Sequence, residues 1–193
     1  MRLEDITLIT LDVLKKNYDA FLHHLQSSLD EAKEQNLRLS SEINEEICRV
    51  FEARPDRRDN TDALSILNYL GKINYNLGKI NENVNNKIND GVMLTDTAAL
   101  ELGELFGGTI ESLLHVRQAL VIVNPILIKN VVDESKDLWT RAQGYAAEHE
   151  DRLIRGICMP KASLLYLLIL DSLKDILWFS MEIAKCIKYE ETA

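Results

Sequence analysis

Apolar residues recur at intervals of three and four along most of the chain, which is the spacing of one face of an α-helix. No run of alternating apolar and polar residues persists, so the pattern predicts an all-α protein. Three stripes show the spacing: Leu11, Leu14, Tyr18, Phe21, Leu25, Ser28 and Ala32; Ala63, Ile66, Leu70, Ile73, Leu77, Ile80 and Val84; and Leu102, Leu105, Thr109, Leu113, Val116, Leu120 and Val123.

Helix-breaking residues divide this pattern into six helices. The break between the first and second helices is placed near Gln35 to Ser40, where the apolar periodicity falters. A polar loop over 53–61 precedes the third helix, with Thr61 or Asp62 as its expected cap. The remaining breaks are Asp90-Gly91, with Thr95 or Asp96 starting the fourth helix, Asn124-Pro125, and Gly156 to Pro160.

The segment from Ser163 to Ile183 is apolar enough to raise the question of a membrane span. Its longest unbroken apolar run, Leu164–Leu170, has seven residues, and charged Asp171 and Lys174 follow soon after. A bilayer-spanning helix needs about 20 predominantly apolar residues. The segment is therefore predicted to be a buried helix at the centre of a soluble protein. No transmembrane segment is predicted in this chain.

The third and sixth helices share one pattern. Adding 103 to each number of the stripe from Ala63 to Val84 gives a second stripe that keeps its apolar character at six of seven places: Tyr166, Ile169, Leu173, Ile176, Ser180, Ile183 and Ile187. This indicates an internal duplication of a three-helix unit. The predicted architecture is two tandem three-helix bundles, 1–90 and 91–193, related by an approximate two-fold axis within one compact domain.

Charge and cysteine content limit the partners and the cellular location that can be expected. The chain carries 31 acidic and 22 basic side chains, a net charge of -9. An acidic surface repels phosphate backbones, so nucleic acid is not an expected partner. The three cysteines are far apart and form no CxxC pair, and the N-terminal residues lack the apolar core of a signal peptide. The expected location is the cytoplasm.

Two sequence runs carry a resemblance to a known family. The run HEDRLIRGICMPKASLLYLLILDSLKDILWFSMEIAKCI has a His-x-x-Arg-Leu helix end, a glycine loop, a Ser-x-x-Tyr start and a long helix. The run EINEEICRVFEARPDRRDNTDALSILNYLGKINYNLGKI follows the same outline more loosely. With two three-helix units in tandem, the chain resembles the PhoU-like phosphate-uptake regulators. Similar divergent domains are fused to sodium/phosphate and other inorganic phosphate transporters.

The resemblance breaks at the family's metal motif, an acidic residue followed four positions later by aspartate. The corresponding positions are Gly71 and Tyr75 in the first half, and Lys174 and Trp178 in the second. Both halves lack both carboxylates, so metal binding of the family's kind is not expected and no cofactor is predicted. An aromatic residue at each aspartate position suggests buried packing, and Trp178 is expected to be mostly buried within the monomer.

Asp171 and Asp175 are the remaining weak candidates for a metal site. Two carboxylates one helical turn apart suit a hard cation, although such pairs are common on solvated helices. His149 lies on the apolar stripe of the fifth helix and is expected to be half-buried. The other residues weighed, each with an ordinary structural interpretation, are Glu111 with His115, His23 and His24, the acidic group Asp133, Glu134 and Asp137, and the loop arginines Arg54, Arg57 and Arg58.

The leading interpretation is a non-enzymatic, PhoU-like regulator of phosphate transport that acts by contact with a transporter at the inner face of the membrane. A twin copy of the chain is the other partner considered. Two alternatives stay open: a metal-binding helical protein using Asp171 and Asp175, and a helical scaffold unrelated to phosphate. No glycine-rich phosphate loop or nucleophile turn is present, so no catalytic residue is predicted.

Overall fold

A computed structural model describes residues 2–53 and 60–187, and it consists of helices joined by short turns. There is no strand in these two ranges. The protein is therefore all-α, as the sequence predicts. The helices are α1 (Leu3–His23), α2 (Gln26–Ala53), α3 (Asn60–Asn89), α4 (Asp96–Val121), α5 (Pro125–Ile154) and α6 (Pro160–Cys186).

Local chemistry sets most of the helix ends where the sequence places them. Thr95 precedes α4, and its side chain accepts a hydrogen bond from the backbone N–H of Ala98. Asn124 caps α5 in the same way, and Pro125 occupies the first turn, where no N–H is needed. Gly91 and Gly156 take left-handed conformations after α3 and α5.

Two expected boundaries are wrong. The first helix ends at His23, His24 adopts a left-handed conformation with φ 55°, and residues 35–40 lie inside α2. The apolar pattern is sparse there because α2 is peripheral, and in this stretch only Leu39 is buried. The third helix already includes Asn60, so Thr61 and Asp62 belong to its first turn and do not cap it.

The six helices form two three-helix bundles with the same packing order. α1, α2 and α3 contact one another, and so do α4, α5 and α6. The bundles meet through α3 against α6 and α1 against α4. α3 and α6 run antiparallel, since Asp90 pairs with Lys161 at 3.1 Å while the rings of Tyr69 and Phe179 lie 6.0 Å apart farther along. This arrangement confirms the predicted tandem architecture.

The equivalent positions of α3 and α6 lie in the core. Ile73 and Ile176, which differ by 103, are both fully buried. α6 packs against α3, α4 and α5, which explains why it is apolar around most of its circumference. Within the described residues, no helix is both long enough and apolar enough to cross a bilayer.

One residue of α6 departs from the expected burial. Met181 is buried and Leu167 is partly buried against the core, but Trp178 is 44% exposed. Its ring packs against Trp139 of α5, with 5.9 Å between ring centroids. The expectation of a mostly buried Trp178 is therefore wrong. The residue covers the outside of the α5–α6 contact.

Candidate functional site

The positions aligned with the family's acidic motif lie on the outer faces of α3 and α6. Tyr75 is 69% exposed, so the expected burial of the aromatic residues fails in the first half as well. The reason is helical geometry. Tyr75 and Trp178 each follow a core isoleucine, Ile73 or Ile176, by two residues, and two residues rotate a side chain by about 200°.

Gly71 and Tyr75 line an open cleft of about 420 Å³ between α2, α3 and α6, together with Asp175. Loss of hydration against the neighbouring helix raises the pKa of Asp175. Asp171 is exposed and pairs with Lys174 at 3.1 Å. The two candidate metal ligands therefore have different surroundings: Asp171 forms an ion pair, whereas Asp175 lines the cleft. In the described ranges, no three His, Cys, Asp or Glu side chains are grouped as metal ligands would be.

Several of the other candidates from the sequence have partners nearby in the structure. His115 Nδ1 lies 2.8 Å from a carboxylate oxygen of Glu134 on α5, and Asp133 accepts from Lys129 at 2.7 Å. His24 Nε2 lies 2.5 Å from the ammonium group of Lys87. These contacts are interhelical or within one turn, and they favour a structural role. Arg54, Arg57 and Arg58 lie outside the described residues.

A buried polar cluster forms where α4, α5 and α6 meet. Arg152 of α5 donates two hydrogen bonds to Glu101 of α4, at 2.9 and 2.6 Å. The hydroxyl group of Tyr166 on α6 donates to the same carboxylate at 2.6 Å. His149, one turn before Arg152 and 1% exposed, stacks on the Tyr166 ring with 4.0 Å between centroids. One carboxylate therefore ties three helices together.

Burial and charge set the protonation states in this cluster. Burial, and then the hydrogen bond to Glu101, raise the pKa of Tyr166, so the phenol keeps its proton. The hydrogen bond to Glu101 also raises the pKa of Arg152. Burial and the nearby Arg152 charge lower the pKa of His149, which favours the neutral imidazole. The cluster is thus a fixed ion pair with neutral rings beside it.

A cavity of about 180 Å³ opens beside the cluster, between the α3–α4 turn and the α5–α6 turn. His149 and Cys158 form part of its wall, and the Cys158 thiol is free and buried. Met93 and Met159 also line it, and both are largely exposed to solvent. The cavity therefore combines a buried imidazole and thiol with an apolar rim.

The sequence does not predict this site, although three of its residues lie in motifs noted above. His149, Arg152 and Tyr166 belong to the His-x-x-Arg-Leu and Ser-x-x-Tyr outline quoted above, although His149 is more deeply buried than expected. Glu101 was missed. Its signal was available, because Glu101 lies three residues after Ala98 and four before Leu105, on the apolar face of α4. No spacing in the sequence would have placed Cys158 beside His149.

Among the described residues of the first half, the positions 103 residues before Arg152 and Tyr166 form no such cluster. Arg49, 103 positions before Arg152, is on the surface and pairs with Glu46 of the same helix at 2.6 Å. Ala63 stands 103 positions before Tyr166. The cluster of Glu101, Arg152 and Tyr166, with its cavity, thus lies within the second half.

Comparison with known proteins adds no assignment: no family model matches the chain, and no curated protein matches it.

Proposed function

We propose that this protein is a PhoU-like regulatory domain of phosphate transport that acts in the cytoplasm by contact with a transporter, without catalysing a reaction. The observation that carries the proposal is the tandem pair of three-helix bundles joined through α3 and α6. That is the architecture the sequence resemblance implies. A rigid bundle of this kind can present a fixed surface to a membrane protein.

The tip of the α4–α5 hairpin is the surface best suited to such a contact. Four apolar side chains at this turn are exposed: Val121, Ile122, Val123 and Ile126. Asn124 and Pro125 lie between Val123 and Ile126. Asn124 caps α5, and Pro125 is its first residue and limits the conformations of the turn. Adjacent exposed apolar residues on a soluble domain are typical of contact sites.

The distribution of charged residues also favours the hairpin tip as the contact surface. The segment 112–132, which contains the tip, has no Asp or Glu, although the chain as a whole has a net charge of -9. Arg117 and Lys129 flank the turn. An apolar tip without carboxylates can approach the cytosolic side of a membrane transporter, where anionic lipid headgroups repel acidic surfaces.

The proposal is tested by phosphate uptake in cells that lack the chain. Loss of the chain should alter the dependence of radiolabelled phosphate uptake on external phosphate, and the wild-type chain should restore it. Ile122→Asp, at a side chain 59% exposed, should fold normally and fail to restore regulation. The matched control is Leu100→Asp, at an exposed residue (74%) elsewhere on α4, which should restore it.

Three results would contradict the proposal. Equal phosphate uptake with and without the chain would favour a scaffold unrelated to phosphate. Alternatively, Ile122→Asp and Leu100→Asp could restore regulation equally, which would remove the hairpin tip from the contact. Loss of self-association in Ile122→Asp, with uptake unchanged, would assign the tip to a twin copy of the chain.

A further inference from the structure

We propose that the groove between α2 and α3 binds an extended peptide segment of another protein, which places an aliphatic side chain beside Tyr75 and a carboxylate against Lys72. The inference does not depend on the proposed role in phosphate transport. It follows from the shape of the groove, from two unpaired carboxamide groups, from an unpaired ammonium group, and from a comparison of the two halves of the chain.

The α2–α3 groove follows one face of α3. Gly71, Tyr75, Gly78 and Asn85 are separated by four, three and seven positions, so they lie on the same side of the helix. The cleft of about 420 Å³ beside Gly71 and a second cleft of about 430 Å³ beside Gly78 both border α2. From Asn68 to Asn85 the helix rises about 25 Å, which is the length of about seven or eight extended residues.

The equivalent positions of the second half carry large side chains. Trp139 stands 103 positions after Asn36, and Trp178 stands 103 positions after Tyr75. The two indole rings pack on each other across α5 and α6, with 5.9 Å between centroids. The two glycines of the groove are replaced as well, Gly71 by Lys174 and Gly78 by Met181.

Two carboxamide groups in the first of these clefts are available to a partner. Asn44 of α2 and Asn68 of α3 both line the cleft and are exposed, and neither side chain is hydrogen-bonded within the described residues. A carboxamide group both donates and accepts. It therefore matches the N–H and C=O groups of an extended segment, whereas a helix pairs these groups internally. The equivalent residues of the second half are Ala147 and Asp171.

The charge at this cleft favours a carboxylate on the partner. The ammonium group of Lys72 lies 5.3 Å from the ring centroid of Phe179 and 5.5 Å from that of Tyr69. It pairs with no carboxylate in the described ranges. Burial raises the pKa of Asp175, the carboxyl group at the cleft, and the charge of Lys79 is the main influence that opposes this rise. Lys72 is therefore left to bind a carboxylate of the partner.

Apolar side chains form the rest of the accessible wall. Tyr75 is largely exposed, and Ile47 and Phe179 are partly buried. Alternate side chains of an extended segment point to the same side. One aliphatic side chain can therefore enter beside Tyr75 while its neighbours along the peptide stay in water.

The experiment selects linear ten-residue peptides from a random phage-displayed library on the full-length chain. The enriched peptides are synthesised, and their dissociation constants are measured by fluorescence anisotropy. We expect enrichment of an acidic residue close to an aliphatic residue. Transferred nuclear Overhauser effects of the bound peptide should show the strong sequential Hα to N–H contacts of an extended chain.

A variant that closes the cleft tests the site directly. A Cβ atom at Gly71 meets nothing within 4 Å, so Gly71→Leu should fold normally and fill the floor of the cleft. We expect it to weaken peptide binding at least tenfold. The matched control is Gly144→Leu on α5, outside the groove, where a Cβ atom also meets nothing within 4 Å. This control should bind the peptides as the wild-type chain does.

Two further variants test the polar contacts. Replacing both Asn44 and Asn68 by alanine should weaken binding about tenfold or more, since one net hydrogen bond provides about five- to tenfold. Alanine at Asn130 and Gln143, two exposed carboxamides of α5, should have no effect. In Lys72→Gln, changing the acidic residue of the peptide to glutamine should no longer reduce the affinity.

The proposal is overturned if no selected peptide binds the full-length chain saturably. Equal affinities of Gly71→Leu and Gly144→Leu would also overturn it, because the peptides would then bind elsewhere. Sequential N–H to N–H contacts typical of a helix in the bound peptide would assign the groove to a helical partner and contradict recognition of an extended backbone.

Discussion

At the scale of single residues, the packing of His149 predicts that the stability of the protein depends on pH. Its imidazole faces Arg152 of α5, Glu101 of α4 and Tyr166 of α6, and burial together with the Arg152 charge lowers its pKa. The folded state therefore binds a proton at His149 less readily than the unfolded state, whose histidine pKa is about 6.5. Stability from this group is present above that value and is lost as the pH falls toward the lower folded pKa.

We therefore expect the free energy of unfolding to fall between about pH 7 and pH 5, and we expect His149→Phe to flatten this decline. Urea unfolding at several pH values measures it. His24 needs its own control, since the Lys87 charge and burial also lower the pKa of His24. His24→Gln should remove a separate part of the decline. A wild-type slope left unchanged in His149→Phe would mean that His149 is protonated equally in both states.

Trp178 is the second test at this scale. Because it is partly exposed, Trp178→Ala should cost less than the roughly 3–5 kcal/mol typical of a fully buried tryptophan. A double-mutant cycle with Trp139→Ala should give a coupling of about 0.5–1.5 kcal/mol for the ring pair. Denaturant unfolding of the four proteins measures both values. Zero coupling would show that the rings do not pack on each other in solution.

At the scale of helices, the sequence patterns predict where most helices begin and end better than they predict which residues of different helices contact each other. Caps and breakers such as Thr95, Asn124 and Gly156 act locally, so the sequence near them was sufficient. The α1–α2 turn was misplaced because an apolar stripe ran through it, and Leu25 on that stripe is exposed. The contact of Glu101 with Tyr166 joins residues 65 apart, and no local rule specifies such a pairing.

The close approach of α4 and α5 gives a test at the same scale. A Cβ atom added at Gly108 would lie 2.6 Å from the Leu138 side chain, whereas one at Gly107 would meet nothing within 4 Å. Gly108→Ala should therefore destabilise by about 1–3 kcal/mol through overpacking. Gly107→Ala should stabilise by about 0.5–1 kcal/mol, since alanine favours helix. Thermal and urea unfolding compare them, and equal effects of the two variants would contradict the packing.

At the scale of the whole molecule, the two bundles pack against each other and are expected to unfold together. α3 packs on α6 and α1 on α4, so each bundle completes the core of the other. Both tryptophans, Trp139 and Trp178, belong to the second half. Tryptophan fluorescence should therefore report the same unfolding midpoint as circular dichroism at 222 nm, which follows helices of both halves. Two separated midpoints would show independent bundles.

The most direct test of the proposed function is the identity of the molecule that touches the hairpin tip in cells. A photo-crosslinking amino acid at Ile122, with Leu100 as the control position, should capture this neighbour. We expect a crosslinked product with a phosphate transporter at Ile122 and not at Leu100, identified by mass spectrometry. Crosslinks at Ile122 only to a second copy of the chain, or the same products at both positions, would contradict regulation by contact with a transporter.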